Sequence, residues 1–582
     1  MAGGTGRRGR IRTCGACVPA PETVATVDEV AEAFVADAAA LDPVGATRQG
    51  IAGHESEMTD FSPDGVAARA DLARRARRRV QGVPPADARE QIAVSVMVER
   101  LTADLDAYDA GEWRRNLNVL FSPLQQIREC FDLTPTGTVE EWEALADRMA
   151  AVPASLAGLR ATLHEGLVAR TPVARRQALA CANQATTWGG ATNGSLPYFS
   201  RLARPYRDEP GGRPALAARL DAAAGVANAA MAELGRWLAE DYAPNADERD
   251  AVGADRYRVH ARGWNGLDLD LNETYSWGWD ELRRIQDEMQ RVAQQIKPGA
   301  TLDEVRHLLE TDPARAVEGE ENLRQWLQDL MDQALCDLNG THFDIPAPLL
   351  RLEAMIAPPG GAAAQYYTGP SEDFSRPGRT WYPTQGRTRF TLWGEVSTAY
   401  HEGVPGHHLQ VAMTQYLTDR LNRFQRTMAF TAGHGEGWAL YAERLMGELG
   451  YLANPDYELG MLSAQAMRAA RVVIDIGLHL ELRIPTTEPL WPGERWTPAR
   501  AVDLLMASAS QPRSFVLSEV DRYLGMPGQA ISYKVGERVW LAGREASRRR
   551  QGAAFDLRTF HARALELGPM GLADLARHLE HC

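Results

Sequence analysis

Ala, Leu, Arg and Glu recur at helical spacing through the first three hundred residues. Stretches such as "VDEVAEAFVADAAALDP", "TVEEWEALADRMAAV" and "RPALAARLDAAAGVANAAMAELGRWLAEDYAP" confine the chain to a mainly α-helical fold. Pro and Gly fall between these segments, so "LTPTGT", "DEPGGRP" and "IKPGAT" read as interhelix loops. No fixed repeat and no low-complexity tract is present, which excludes a solenoid. Near residue 348 the texture changes. "PLLRLEAMIAPPGG", "AAAQYYTGPSEDFSRPG" and "RTWYPTQGRTRFTLW" set β-favouring aromatics between turns, and predict a small antiparallel sheet or meander. A long helix is expected from about Leu392, with helices to the end.

A chain of 582 residues with 45% hydrophobic composition can bury a large core. Its 63 basic and 77 acidic residues leave a net charge of -14, which argues against nucleic acid or an anionic membrane as partner. No run of about 18 apolar residues suggests a transmembrane helix. The leader "MAGGTGRRGRIRTCGACVPAPETV" has arginines without an apolar stretch after them and reads as a disordered extension over 1–22, not a secretory signal. Six scattered cysteines form no disulfide framework and fit a reduced, cytoplasmic setting. Cys14 and Cys17 make a lone CxxC without a second pair to complete a metal site.

The most unusual segment is "AYHEGVPGHHLQ", from Ala399 to Gln410. A zinc-binding HExxH helix places two histidines four residues apart on one face, with the glutamate beside them as general base. Here Pro405 stands where the second histidine belongs. His401 and His408 would lie about 10 Å apart along an unbroken helix, too far to share an ion, and His407 would point elsewhere. Pro405 prevents an unbroken helix, because its ring clashes with the carbonyl of His401 and it has no N–H to give. Gly406 adopts a bulge at little cost. If two residues of Val404–Gly406 loop out, His407 takes the place of the fourth residue after His401. A bulge of another shape would make His408 the ligand. Without a third ligand, three nearby histidines are equally well a hydrogen-bonded core cluster. The acids of "TAGHGEGWALYAERLMGELG" could supply it: Glu436 and Glu443 are seven apart, on one helix face, within an almost wholly apolar run where a bare carboxylate is costly. Two histidines and a carboxylate leave an open fourth position on zinc, and Glu402 is placed to act as base.

"YHEGVPGHHLQ", "GEGWALYAERL", "RVVIDIGLH" and "MPGQAISYKVG" resemble, in that order, motifs of the bacterial domain-of-unknown-function family 885. Weaker similarity runs back through "YYTGPSEDFSRPG" and "GLDLDLNETYSWGWDELRRIQDEM" to "LDPVGATRQG", covering roughly residues 25 to 580. That family is similar to the helical zinc peptidases around thimet oligopeptidase, carboxypeptidase Taq and angiotensin-converting enzyme. Thimet-like enzymes read HExGH, and aligning their Gly-His with Gly406-His407 leaves a two-residue insertion. The resemblance implies Glu436 as third ligand and Glu443 as the acid orienting a histidine. It also implies Tyr533, in "GQAISYKVG", as donor to the oxyanion. Lys534 and Arg471 are candidates for a substrate carboxylate, or for pairing with an acid such as Asp475. His479 is structural or touches substrate, His408 neighbours the site, and His434 departs from the family pattern just before Glu436.

The expectation is therefore a mainly α, two-lobed, gluzincin-like metallopeptidase fold with a small antiparallel sheet beside the active-site cleft. Residues 23–582 would form one catalytic domain, with a helical lobe over about 23–345 and a metal-site lobe over about 346–582. One Zn2+ per chain, or another divalent ion, would serve hydrolysis of a short peptide or small amide, in a monomer or homodimer. A metal-dependent tailoring enzyme acting on an amide or ester, and a non-catalytic ligand-binding protein of the same fold, are the alternatives.

Overall fold

The computed structural model describes residues 25–190, 196–208, 212–357, 364–371 and 373–582. The leader with Cys14 and Cys17 lies outside them. Helices dominate, and their ends carry the expected chemistry. Thr138 caps the helix Val139–Val168 and Glu141 returns a bond to the cap backbone. Asn454 accepts the Asp456 N–H at the start of Pro455–His479, where Pro455 fills the first turn.

Apolar side chains gather in two clusters. The smaller lies within Val44–Ala246 and is built mainly on helices Val139–Val168, Arg175–Gly189 and Pro214–Trp237. The larger draws on residues from Val27 to Cys582. The two cores therefore interleave along the chain.

Helix α1 (Ala88–Asp109) packs against α2 (Ala254–Asn265), and α2 and six further helices build or flank the site: α3 (Leu271–Ile296), α4 (Glu395–Glu402), α5 (His407–Tyr416), α6 (Ala432–Glu448), α7 (Pro455–His479) and α8 (Ser532–Gln551). Helix α7 is buried almost all round, from Leu459 to His479. It packs against α3, where Gly278 faces Val472 and Val473. Helices α6 and α8 cross at two glycines. A Cβ on Gly437 would stand 2.4 Å from the Cα of Gly536, so no larger residue fits at that distance. This close approach sets Glu436 on α6 near Tyr533 on α8.

Strands β1 (Ala316–Glu318) and β5 (Arg389–Thr391) form an antiparallel pair with Val317 opposite Phe390. Strands β2 (Leu352–Ile356), β3 (Tyr366–Thr368) and β4 (Gly378–Tyr382) form a sheet in the order β2-β4-β3. Here β3 and β4 are antiparallel, but β2 and β4 run parallel. The expected meander is thus a mixed sheet plus a separate antiparallel pair whose first strand lies well before residue 348. Long-range pairing of that kind leaves no mark on local alternation.

Candidate metal centre

The bend between α4 and α5 brings the histidines to one place. The N–H of Gly403 bonds to the carbonyl of Ala399 at 2.8 Å, the ordinary helical partner. The N–H of Gly406 then reaches Tyr400 O at 3.0 Å, six residues back instead of four. Two residues are looped out. Helical bonding resumes with Gln410 N–H to Gly406 O at 3.3 Å. A Cβ on Gly406 would lie 2.0 Å from His401 O and 2.4 Å from Tyr400 O, so the bend requires glycine. The Trp438 indole pins it by donating to Pro405 O at 2.8 Å.

One donor atom from each of His401, His407 and Glu436 lies within 4.8 Å of the others. Glu436 Oε2 is 3.4 Å from His401 Nε2 and 3.5 Å from His407 Nε2. Bonds of about 2.1 Å to a tetrahedral ion put neighbouring ligand atoms about 3.4 Å apart. Glu436 Oε2 is also buried with no hydrogen-bond partner among the described residues. A lone buried oxygen facing two imidazole nitrogens at that spacing fits a divalent cation. The cluster can hold a metal.

Charge distribution tells the same story. Burial and Arg468 push the His401 imidazole down, but the carboxylates of Glu436 and Glu443 outweigh both and hold its pKa up at about 9. Burial raises the Glu436 carboxyl, yet the two imidazoles bring it well below the ordinary range. Positive charge is wanted at this point.

The far side of His401 is fixed. Its Nδ1–H donates to Glu443 Oε1 at 2.8 Å, which leaves Nε2 free to face the cluster. Glu443 has no exposed surface, takes the Ser397 hydroxyl on its other oxygen, and pairs with Arg468 at 3.1 Å. Burial raises its pKa, and Arg468 with His401 more than offset that. Neither Ser397 nor Arg468 is singled out by a motif. The available signals were a serine one turn before His401 and an arginine one turn before Arg471, in the otherwise apolar "AQAMRAARVVIDIGLH".

Tyr533 lies beside the cluster, its ring nearly parallel to that of His401 at 6.4 Å. Arg471 and Arg468 flank this ring, with guanidinium carbons 4.8 and 5.6 Å from its centroid. Burial and Glu436 push the phenol up to about 12, against the arginines. Glu402 is buried next to His401 and has no hydrogen bond or ion pair among the described residues.

The remaining candidates are engaged elsewhere. His408 faces away, donating from Nε2 to Leu349 O at 2.8 Å and accepting the Tyr367 hydroxyl on Nδ1 at 3.0 Å, which ties α5 to β3. Lys534 is fully buried between Glu281, at 2.7 Å, and Glu537. Arg471 donates to Tyr523 and Glu519. Asp475 accepts from Tyr257 and from the backbone N–H of Gly528, so it anchors the turn that leads to Tyr533. His479 contacts the Tyr523 carbonyl at 3.0 Å. His434 meets Gln410 at 2.5 Å, and its Nε2 has no partner among the described residues.

Residues 43–579 match the family model described as "Bacterial protein of unknown function (DUF885)". The chain belongs to this family. No curated protein matches it. Two solved structures resemble the family member over nearly its whole length. One, from Colwellia psychrerythraea, has a TM-score of 0.82 at 21% identity, covering 96% of this chain and 99% of the other. The second, from Shewanella oneidensis, has a TM-score of 0.73 at 17% identity, covering 95% and 99%. At such identities they share the fold. A carboxypeptidase from Pyrococcus furiosus gives a TM-score of only 0.38 at 12% identity, which carries no argument. Kinship with the helical zinc peptidases thus rests on motif resemblance. One expectation is corrected. Both full-length structural matches are described as a "putative lipoprotein", and this overturns the cytoplasmic placement inferred from scattered cysteines. Cysteine scatter reports only the lack of a disulfide framework, and that lack is compatible with more than one compartment.

Proposed function

We propose that this DUF885 member is a metal-dependent hydrolase that cleaves a peptide or other amide bond in a small substrate. The observation that carries it is the pair of 3.4 and 3.5 Å separations from a partnerless Glu436 oxygen to two imidazole nitrogens. His401, His407 and Glu436 hold the ion, with zinc the natural choice for two nitrogens and a carboxylate. When bound, such an ion supplies Lewis acidity and makes a water more acidic.

The chain's own residues supply the rest. Glu402 takes the proton of the attacking water on its carboxylate and passes it to the leaving nitrogen. Tyr533 donates its hydroxyl hydrogen to the developing oxyanion, its ring steadied by Arg468 and Arg471. Glu443 keeps the His401 proton on Nδ1, so that Nε2 stays a donor to the ion.

A protein that only binds metal shares the first part of this reading and lacks the second. The test is metal analysis of the purified chain together with activity on a peptide library and on a panel of small acyl amides and esters. About one ion per chain is expected. Glu402→Gln should keep the ion and lose activity by a factor of about 10² to 10⁴. Turnover of the acyl panel alone would turn the reading to a tailoring enzyme. An ion with no turnover of either panel leaves the protein a metal binder.

A further inference from the structure

A cavity of about 680 Å³ opens where the two apolar clusters meet. Leu101 and Leu105 of the larger cluster and Leu117 and Val173 of the smaller line it. Its volume suits a small organic ligand. Six aromatic rings contribute to its wall: Phe34, Tyr108, Trp113, Phe121, Trp264 and Phe424.

The chain leads from this cavity to the metal cluster twice. Met428 lines it three residues before Thr431, the cap of α6. Met526 and Pro527 line it just before Gly528 and the turn to Tyr533. At that turn a Cβ on Gly528 would be 2.7 Å from Ala261 Cα, on the same helix α2 whose His260 and Trp264 line the cavity.

Several ionisable side chains of the wall are engaged with the protein. Arg100 pairs with Glu99, Glu112 with Arg256 and His260, Arg249 with Glu481, and Asp250 with Arg176. Asp104 on α1 also lines the cavity and is exposed, yet it has no hydrogen bond or ion pair among the described residues. A carboxylate so placed is open to pairing with an incoming cation.

We propose that this cavity is a small-molecule binding chamber, and that Asp104 selects molecules carrying a free ammonium group on an apolar or aromatic body. The aromatic wall buries that body and adds cation–π attraction to the ammonium. That the ligand is also a substrate rests on the reading above; that it binds here does not.

The dipeptide Phe-Phe and its N-acetyl form are the probes, titrated calorimetrically against the zinc-loaded Glu402→Gln chain and against the same chain after chelation. Phe-Phe is expected to bind at least tenfold more tightly than the acetylated form in both. Asp104→Asn should shrink this ratio to within about twofold at unchanged Tm and circular dichroism, while Asp104→Glu restores part of it. Equal affinity for the two probes, no binding of either, a preference that vanishes with the metal, or a preference that survives Asp104→Asn each overturns the proposal. Discrimination without hydrolysis of any probe by the zinc-loaded parent chain would keep this site and remove the hydrolase reading.

Discussion

A carboxylate with no exposed surface holds one of the two imidazoles. Glu443 is bonded to His401, Ser397 and Arg468 at once, so its negative charge is shared between a ligand and a fixed cation. Glu443→Gln keeps the shape but loses the charge and offers an amide where His401 needs an acceptor. Metal affinity should fall about 10- to 100-fold, measured by competition with a chromophoric chelator. Tyr533→Phe removes only an oxygen. If the hydroxyl meets the oxyanion, kcat should fall by about 10² to 10³ with metal content unchanged; an unaltered kcat would make it a packing residue. The seven-residue spacing of Glu436 and Glu443 could be read directly, because one helix carries both. The roles of His408 and Lys534 could not, because Leu349, Tyr367, Glu281 and Glu537 reach them from other elements. Adjacent histidines look alike in a sequence; which one turns inward is decided by what the other finds outside.

At the scale of elements, glycines decide where helices meet. Gly437 and Gly536 let α6 and α8 touch backbone to backbone. Gly437→Ala would force the helices apart and should cost about 1–3 kcal/mol, read from urea denaturation. Because Glu436 is its neighbour, metal affinity should fall with it. The bend between α4 and α5 was legible because Pro405 forbids the helix and Gly406 permits the alternative. The β1–β5 pair and the parallel β2–β4 contact were not legible. Each joins short strands through segments whose own spacing says nothing of a partner.

Across the whole molecule, buried histidines and one buried acid set opposite pH responses. Burial lowers His479 to about 4 and His561 to about 3, so both fold as neutral rings. Their contribution is present above the ordinary histidine range near pH 6.5 and is lost as pH falls through their folded values. Asp475, raised to about 7 by burial, acts in reverse: its contribution is present in acid and is lost as pH rises towards 7. The two histidines together carry the larger shift, so stability should fall on acidification from pH 6.5 towards 4. Asp475→Asn should steepen that fall in thermal melts across the window, and an unchanged slope would remove Asp475 from the balance. By itself the sequence determined a mainly helical chain, the bent histidine motif and the acids spaced to meet it, since period, proline and glycine act within a few residues of chain. Tertiary structure alone decided that Arg468 and Ser397 brace Glu443, that His408 faces β3, and that a cavity between two cores leaves Asp104 without a partner. Those contacts join residues tens to hundreds of positions apart, and only packing brings them together.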